Sequence, residues 1–378
     1  MNESSVKKAL VAMSGGVDSS VAAFLMKEKG YEPVGVTMML HDQEEVLAKN
    51  AYTCCTPDDI EDARVVASQM GIPFHVVNFM DGFREKIVDK FIDTYLRGET
   101  PNPCIDCNRY MKFGRLFEMA DEEGCEKVVT GHYAIIEWDE KQGEYKLKRG
   151  NDKKKDQTYV LYFLTQKQLA RLDFPIGEHE KEEVREIAER EGLIVARKHD
   201  SQDICFVPDG DYAGFIEKEG RGELGTIWPD TLDYSGDFTD IEGNVIGKHK
   251  GFFHYTIGQR KGLGISAAQP LYVVDIIPKE NRVVLGSNDD LFTREVNAVD
   301  FNMMYMPDII EKSEDGSMRL RVTAKVRYRA QDTPGELIVY PDGRARMTFD
   351  EAVRAVTPGQ SLVVYDGEYC LGGGIITR

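Results

Sequence analysis

From about Lys7 to Arg197, short apolar runs alternate with stretches whose apolar residues recur at helical spacing. Ala9-Leu10-Val11-Ala12-Met13 reads as a strand. Ser14-Gly15-Gly16 follows, then a helix in which Val17, Val21, Phe24 and Leu25 share a face and which Gly30 ends. Residues 34–39 read as the next strand, and 60–70 as a helix closed by Gly71-Ile72-Pro73. Residues 74–77 are a third strand, 83–96 another helix and 127–130 a further strand. Repeated βα units predict a doubly wound parallel sheet with helices on both faces. Its ligands belong at the carboxyl ends of the strands.

The character changes after about Asp211. Turn signals such as Glu242-Gly243-Asn244 become frequent, and the middle reads as small and partly β. From about Leu271 short β-rich runs alternate with turns, at 271–277, 282–285, 319–328, 336–340, 345–349 and 361–365. Runs of this spacing predict a small β-barrel or sandwich. The expected organisation is a multidomain α/β plus β chain. The α/β domain spans 1–211, a small central domain 212–284 and a C-terminal β-barrel 285–378.

The chain has 378 residues, enough for two or three domains. No apolar run approaches the roughly 18 residues of a membrane helix, and no signal-peptide core follows the N-terminus. The expected compartment is therefore the cytoplasm, with no membrane partner. There thiols stay reduced, and seven cysteines, an odd number, point to redox, metal or catalytic use. The net charge of −18 disfavours nonspecific polyanion binding. Local basic surfaces run against that sum. Residues 144–155, EYKLKRGNDKKK, carry six Lys/Arg and two Asp/Glu. Arg319, Arg321, Lys325, Arg327 and Arg329 share one parity of a predicted strand, opposite Leu320, Val322, Ala324, Val326 and Tyr328. A basic outer face over an apolar inner face suits phosphate contacts, although a solvated strand has the same pattern.

Three strings carry candidate chemistry. In Ser14-Gly15-Gly16-Val17-Asp18-Ser19, the glycines let the backbone approach an anion and the helix N-terminus adds N–H donors. The serines add hydroxyls, and Asp18 offers a carboxylate to magnesium. The Gly-Lys-Ser/Thr ending of a Walker loop is absent. In Asn102-Pro103-Cys104-Ile105-Asp106-Cys107, prolines stiffen the approach to a Cys-x-x-Cys. Arg109 and Lys112 are cations that favour thiolate. Half of a zinc site is the alternative, with Cys54-Cys55 as a poorly spaced other half. The third string is Asp200-Ser201-Gln202-Asp203-Ile204-Cys205-Phe206, whose cysteine taken alone reads as a packed core thiol.

The first string resembles the PP-loop of ATP pyrophosphatases. Together the three resemble the bacterial tRNA-specific 2-thiouridylases. So do Thr130-Gly131-His132-Tyr133, Lys155-Asp156-Gln157-Thr158-Tyr159-Val160-Leu161, the stretch from His254 to Gly264, and Arg327-Tyr328-Arg329. The matches run in order along nearly the whole chain. The resemblance implies an ATP site at Ala12, Met13, Ser14, Gly15, Gly16, Val17, Asp18 and Ser19, with Met38 beside the adenine and Gly131 closing the pocket. It makes Cys107 the nucleophile and Cys205 the persulfide carrier. Asn102, Pro103 and Cys104 would lie against the target uridine. His132, Lys155, Asp156, Gln157, Arg327, Tyr328 and Gln360 would contact tRNA. Many relatives have Asp where this chain has Cys104, so acid–base work at that position is in doubt here.

The implied reaction is 2-thiolation of the wobble uridine of tRNAs for Lys, Glu and Gln. ATP and Mg²⁺ serve the adenylation, and sulfur comes from a donor protein of a cysteine desulfurase relay. The preferred route uses a persulfide on Cys205 and ends in a Cys107–Cys205 disulfide. In the alternative, Cys104, Cys107 and Cys205 hold a [4Fe–4S] cluster with one iron open. Their spacing is not a ferredoxin run, and no metal site made by protein alone is expected. Two other functions remain: a PP-loop ligase with a nitrogen nucleophile, and a zinc-stapled RNA-binding protein. The first has no need of two separated cysteines, and the second leaves SGGVDS unused.

Overall fold

The structure, a computed structural model, describes residues 7–40, 56–199, 204–207, 210–220, 234–307 and 311–378. Cys54, Cys55 and the residues 200–203 that open the third cysteine string lie outside the described residues.

The first seven strands are β1 (Lys8–Ala12), β2 (Glu32–Met39), β3 (Phe74–Asn78), β4 (Lys127–Val129), β5 (Ala134–Asp139), β6 (Glu144–Arg149) and β7 (Leu172–Asp173). Five of them form a sheet in the order β3-β2-β1-β4-β7, every pairing parallel. Strand order reverses at β1, so a crevice opens at its carboxyl end, where Ser14-Gly15-Gly16 lies. Alternate side chains of β1 feed two cores. Ala9 and Val11 pack with helices α1 (Val17–Glu28) and α2 (Pro57–Met70) and with Val184 and Ile187. Leu10 packs on the other face with Phe83, Phe91, Phe113 and Leu116. A capping box of Thr56 and Asp59, Pro57 in the first turn and left-handed Gly71 delimit α2.

The helix expected at 83–96 runs Met80–Phe83, Arg84–Asp89 and Lys90–Leu96, with a π-helical middle. A second continuous helix runs Pro103–Asp106, Cys107–Lys112 and Phe113–Glu122, also π-helical in the middle. The widened turn begins at Cys107, and such turns recur at functional sites.

The central sheet contains β8 (Gly236–Thr239), β9 (Val245–His249), β10 (Tyr272–Ile277) and β11 (Arg282–Gly286), in the order β10-β11-β8-β9. Phe238, Tyr255, Val273, Ile276 and Val283 form its own core. The runs at 271–277 and 282–285 therefore belong to this sheet and not to the barrel.

The remaining strands are β12 (Phe292–Met303), β13 (Glu311–Lys312), β14 (Met318–Lys325), β15 (Thr333–Val339), β16 (Ala345–Arg354), β17 (Ser361–Asp366) and β18 (Tyr369–Thr377). Six form an antiparallel barrel, β12-β16-β15-β14-β17-β18, which closes where β18 pairs with β12. Gly372 and Gly374 permit closure: an added Cβ would lie 1.9 Å from the Asn302 oxygen or 2.7 Å from the Val299 oxygen. The β5–β6 hairpin joins this sheet through Tyr369↔Lys148 and Cys370↔Leu147. The basic run that starts at 144 is thus built into the barrel sheet across the expected boundary at 211. One hydrophobic core spans the parallel sheet and the barrel.

Strand β14 alternates as expected, with Leu320, Val322 and Ala324 buried and Arg319 and Arg321 exposed. Two expectations need correction. The strand ends at Lys325, so Arg327 and Arg329 lie beyond it. The basic face is also partly neutralised from neighbouring strands, a pairing invisible within one strand. Arg319 lies 3.4 Å from Glu336, and Arg321 makes two bonds of 3.0 and 2.6 Å to Asp350. In the 144–155 run, Lys146 pairs with Asp139, Lys148 with Glu137 and Lys153 with Glu368. Among the described residues no helix is long and apolar enough to cross a membrane.

Candidate active site

Gly15 has φ +71°, and a Cβ there would lie 2.0 Å from the Asp59 oxygen, so the loop after β1 needs glycine. Gly16 caps α1 without a side-chain acceptor, which leaves first-turn N–H groups for an anion. The Ser14 N–H donates to Ser19 Oγ at 3.1 Å, and the Ser19 hydroxyl donates to the Gly16 oxygen at 3.2 Å. The Met13 N–H donates to the Val36 oxygen at 2.8 Å, and the Thr37 hydroxyl donates to the Met13 oxygen. Ala12 and Met13 are thereby fixed to β2, in which Met38 is buried. A Cβ on Gly131 would lie 2.7 Å from Ser19 N, so the loop after β4 lies directly on the loop after β1. Gly131 thus lies against Asp18 and Ser19, with Ser14 exposed, Gly16 and Asp18 half-buried, and Gly15, Val17 and Ser19 buried.

Asp18 Oδ1 accepts from the Tyr133 hydroxyl at 2.8 Å and from Lys181 Nζ at 2.7 Å. Its carboxyl is partly exposed. One partly exposed carboxylate in a phosphate loop fits the way magnesium is held, by one or two carboxylates and the substrate's own phosphates. Lys198 Nζ donates to the Gly15 oxygen at 3.0 Å and also meets Asp59 and Asp62. Burial works against its charge, but the two carboxylates outweigh burial and raise its pKa. Neither Lys181 nor Lys198 is legible as a site residue in the sequence, because each is remote from the loop it holds.

Lys90 fastens the Cys107 segment through a 2.7 Å ion pair with Asp106. Burial pushes the Asp106 pKa up, and Lys90 offsets this only in part. Asn108 Nδ2 donates to the Val160 oxygen at 3.2 Å, which ties the segment to the Lys155–Leu161 string. Phe206 packs edge-on against Phe83 and Phe91, at 5.8 and 5.1 Å, and against Phe215 at 5.3 Å. Thus the helix at 80–96 anchors the segments of both Cys107 and Cys205. Both cysteines are half-buried against the same core, while Cys104 is exposed. Among the described residues no three His, Cys, Asp or Glu side chains converge as a metal-ligand set. Cys104, Cys107 and Cys205 are thus not gathered as one ligand set in this structure.

The residues expected at tRNA divide by orientation. Arg327 and Tyr328 are exposed, and the Tyr328 hydroxyl donates to the Asp156 oxygen at 3.1 Å. Tyr328 lies within electrostatic reach of Cys104 in the Cys-x-x-Cys. Asn102 and Lys155 are half-buried, and Pro103 is buried. Gln157 Oε1 accepts from the Tyr133 N–H at 2.9 Å. Two side chains point inward. Asp156 accepts from the Thr158 hydroxyl at 2.9 Å and lies 4.0 Å from Arg149. His132 packs between Phe113 and Phe174, with Nδ1 2.6 Å from Thr130 Oγ1. These two hold loops in this structure and are not presented at its surface. Gln360 Nε2 donates to the Thr100 and Pro101 oxygens at 3.0 and 3.2 Å.

The family model for the tRNA methyl transferase HUP domain matches residues 7–209. The PRC-barrel domain of that name matches 230–287, and the aminomethyltransferase beta-barrel domain matches 302–376. The tRNA-specific 2-thiouridylase MnmA of Clostridioides difficile (strain 630) is 49% identical over 98% of both chains. The protein of that name from Carboxydothermus hydrogenoformans is 48% identical, covering 98% of each. The chain belongs to the tRNA-specific 2-thiouridylase family. Similarity to solved structures is weaker. A 4-thiouridine synthetase–RNA complex with bound ATP is 18% identical, covers 58% of this chain and 52% of that chain, and has a TM-score of 0.37. Lys181 and Lys198 are residues that only the structure brings to the loop after β1.

Burial, aided by the charge of Lys112, holds the His132 pKa well below 6.5. Below pH 6.5 the unfolded chain takes up a proton that the folded ring refuses. This histidine thus lowers stability as pH falls, by up to about 1.4 kcal/mol per pH unit. Its ring resonances should show no titration between pH 8 and 6 by NMR; a midpoint near 6.5 would contradict the buried placement.

Proposed function

We propose that this chain is an ATP-dependent tRNA-uridine 2-sulfurtransferase acting on the wobble uridine, position 34. Family membership along nearly the whole chain supports the reaction class. The observation that carries the chemistry is that one helix anchors both half-buried cysteines, Cys107 and Cys205. A PP-loop ligase with a nitrogen nucleophile has no use for that arrangement.

The C2 oxygen of uridine is a poor leaving group. Its attack on the α-phosphate of ATP releases pyrophosphate and leaves an adenylate. The loop N–H groups and the serine hydroxyls hold the phosphates and stabilise the charge that develops. Asp18 would hold the magnesium that enters with the nucleotide, which supplies further charge neutralisation. The terminal sulfur of a Cys205 persulfide then attacks C2 and expels AMP. Cys107 attacks the inner sulfur, breaks its bond to the transferred sulfur and forms a Cys107–Cys205 disulfide. Alternatively Cys107 attacks first, and the released hydrosulfide attacks C2. Either way a two-electron reductant resets the thiols. The uridine leaves its stack to reach Asn102, Pro103 and Cys104. Lys155, Gln157, Arg327, Tyr328 and Gln360 receive the RNA, with His132 and Asp156 supporting the loops. The acceptors are tRNAs for Lys, Glu and Gln, the sulfur comes from a donor protein of a cysteine desulfurase relay, and the reaction runs in the cytoplasm.

Transcript tRNA, ATP, Mg²⁺ and sulfide should yield 2-thiouridine and AMP with this chain. Asp18→Asn should lose AMP formation while tRNA affinity holds. AMP formation at the wild-type rate in that variant would remove Asp18 from the reaction.

Arg327→Ala should weaken tRNA binding and reduce the salt dependence by about one unit of log–log slope per lost phosphate contact. Measured by filter binding across salt concentrations, an unchanged slope would show that Arg327 faces only water.

A further inference from the structure

Lys181 occupies a position that local rules disfavour. It is the first residue of the helix Lys181–Arg190, where the helix dipole favours acids and repels cations. Two acids, Glu182 and Glu183, follow it in the same turn. It is also only 6% exposed, and burying an ammonium is costly unless it is paired. Such a departure from local preference is expected where a residue serves a site elsewhere in the fold. Here that site is the phosphate loop. The ammonium lies 2.7 Å from Asp18 Oδ1 and 5.9 Å from the ring centre of Tyr133, whose hydroxyl donates to the same oxygen.

Asp18 is the one acid in the first turn of α1, at the place where a triphosphate would arrive. A bare carboxylate there repels the nucleotide. We propose that Lys181 is a positioning residue of the nucleotide site, which offsets the charge of Asp18 and fixes its carboxylate so that a triphosphate can enter the loop. Both bonds fall on Oδ1 and hold the carboxylate that would take up the divalent cation accompanying the nucleotide. This inference rests on the reading of the loop as an ATP site.

Charge compensation has a signature that packing lacks. Without Lys181, Asp18 loses its one ionic partner among the described residues and keeps only the Tyr133 hydroxyl and the α1 N-terminus. Metal-free ATP suffers the full repulsion, while a magnesium ion restores most of the balance. Binding of ATP to the full-length protein is measured by calorimetry, once with EDTA and once with saturating Mg²⁺. Lys181→Met should weaken metal-free binding about 10- to 100-fold, the range for losing a charge-assisted contact. It should weaken binding with Mg²⁺ several-fold less. Adding Asp18→Asn to Lys181→Met should recover metal-free binding, and Lys181→Arg should stay near wild type in both buffers. If Lys181→Met does not fold, Lys181→Gln, which keeps a donor but no charge, gives the same comparison. Equal losses in both buffers, or no loss, would overturn the role of Lys181 while the ATP site stands. A wild-type protein that binds no ATP in either buffer would overturn the ATP reading and this inference with it.

Discussion

The chain between Gly98 and Pro101 is held at once by two parts of the molecule outside the parallel sheet, and the Cys-x-x-Cys follows directly from it. From the barrel, the Pro358 oxygen accepts the Thr100 N–H at 2.8 Å, and Gln360 donates to the oxygens of Thr100 and Pro101. From the central sheet, Ile276 and Pro278 crowd Gly98 so closely that a Cβ would lie 2.5 Å from Pro278. Arg378 spans the two, reaching the oxygens of Gly98 and Ile276 and lying 3.1 Å from Asp275. The segment carrying Asn102, Pro103, Cys104 and Cys107 is therefore positioned by contacts outside the parallel sheet. Buried backbone groups must find partners, and here those partners come from separate parts of the fold.

The same economy governs the two reactive centres. The loop after β1 leaves first-turn backbone N–H groups uncapped by a side chain, and Lys181 and Lys198 hold Asp18 and the Gly15 oxygen beside it. A single helix anchors both cysteine segments, through Phe83 and Phe91 against Phe206 and through the Lys90–Asp106 ion pair. Charged groups in both places are paired and partly desolvated, which strengthens their interactions relative to exposed pairs.

The parallel sheet, the phosphate loop and the central and barrel regions were legible because strand–glycine–helix and alternating patterns are local. Three features were not. Strand β18 contains Gly372-Gly373-Gly374, a breaker signal along the sequence, yet the glycines let backbones approach where the barrel closes. The 144–155 run reads as a free basic patch, but Asp139 and Glu137 meet it from the paired strand β5 and Glu368 from the turn before β18. Lys181 resembles any lysine in a polar helix until the fold places Asp18 against it. Each depends on partners that pairing and folding bring in from outside the segment itself, which periodicity does not encode. Among the site residues, the motif strings did not show that His132 and Asp156 point inward.

Amide hydrogen exchange at Thr100 tests the three-way junction most directly. In the intact protein this N–H should be protected to the level of the barrel strands. Gly359 has φ +88°, and a Cβ there would lie 2.9 Å from the Thr100 oxygen, so Gly359→Val should release the turn. Thr100 should then exchange rapidly and tRNA thiolation should fall, with ATP binding retained. Rapid exchange at Thr100 in the unaltered protein, or full thiolation by the released variant, would contradict the claim that the junction positions the reactive cysteine.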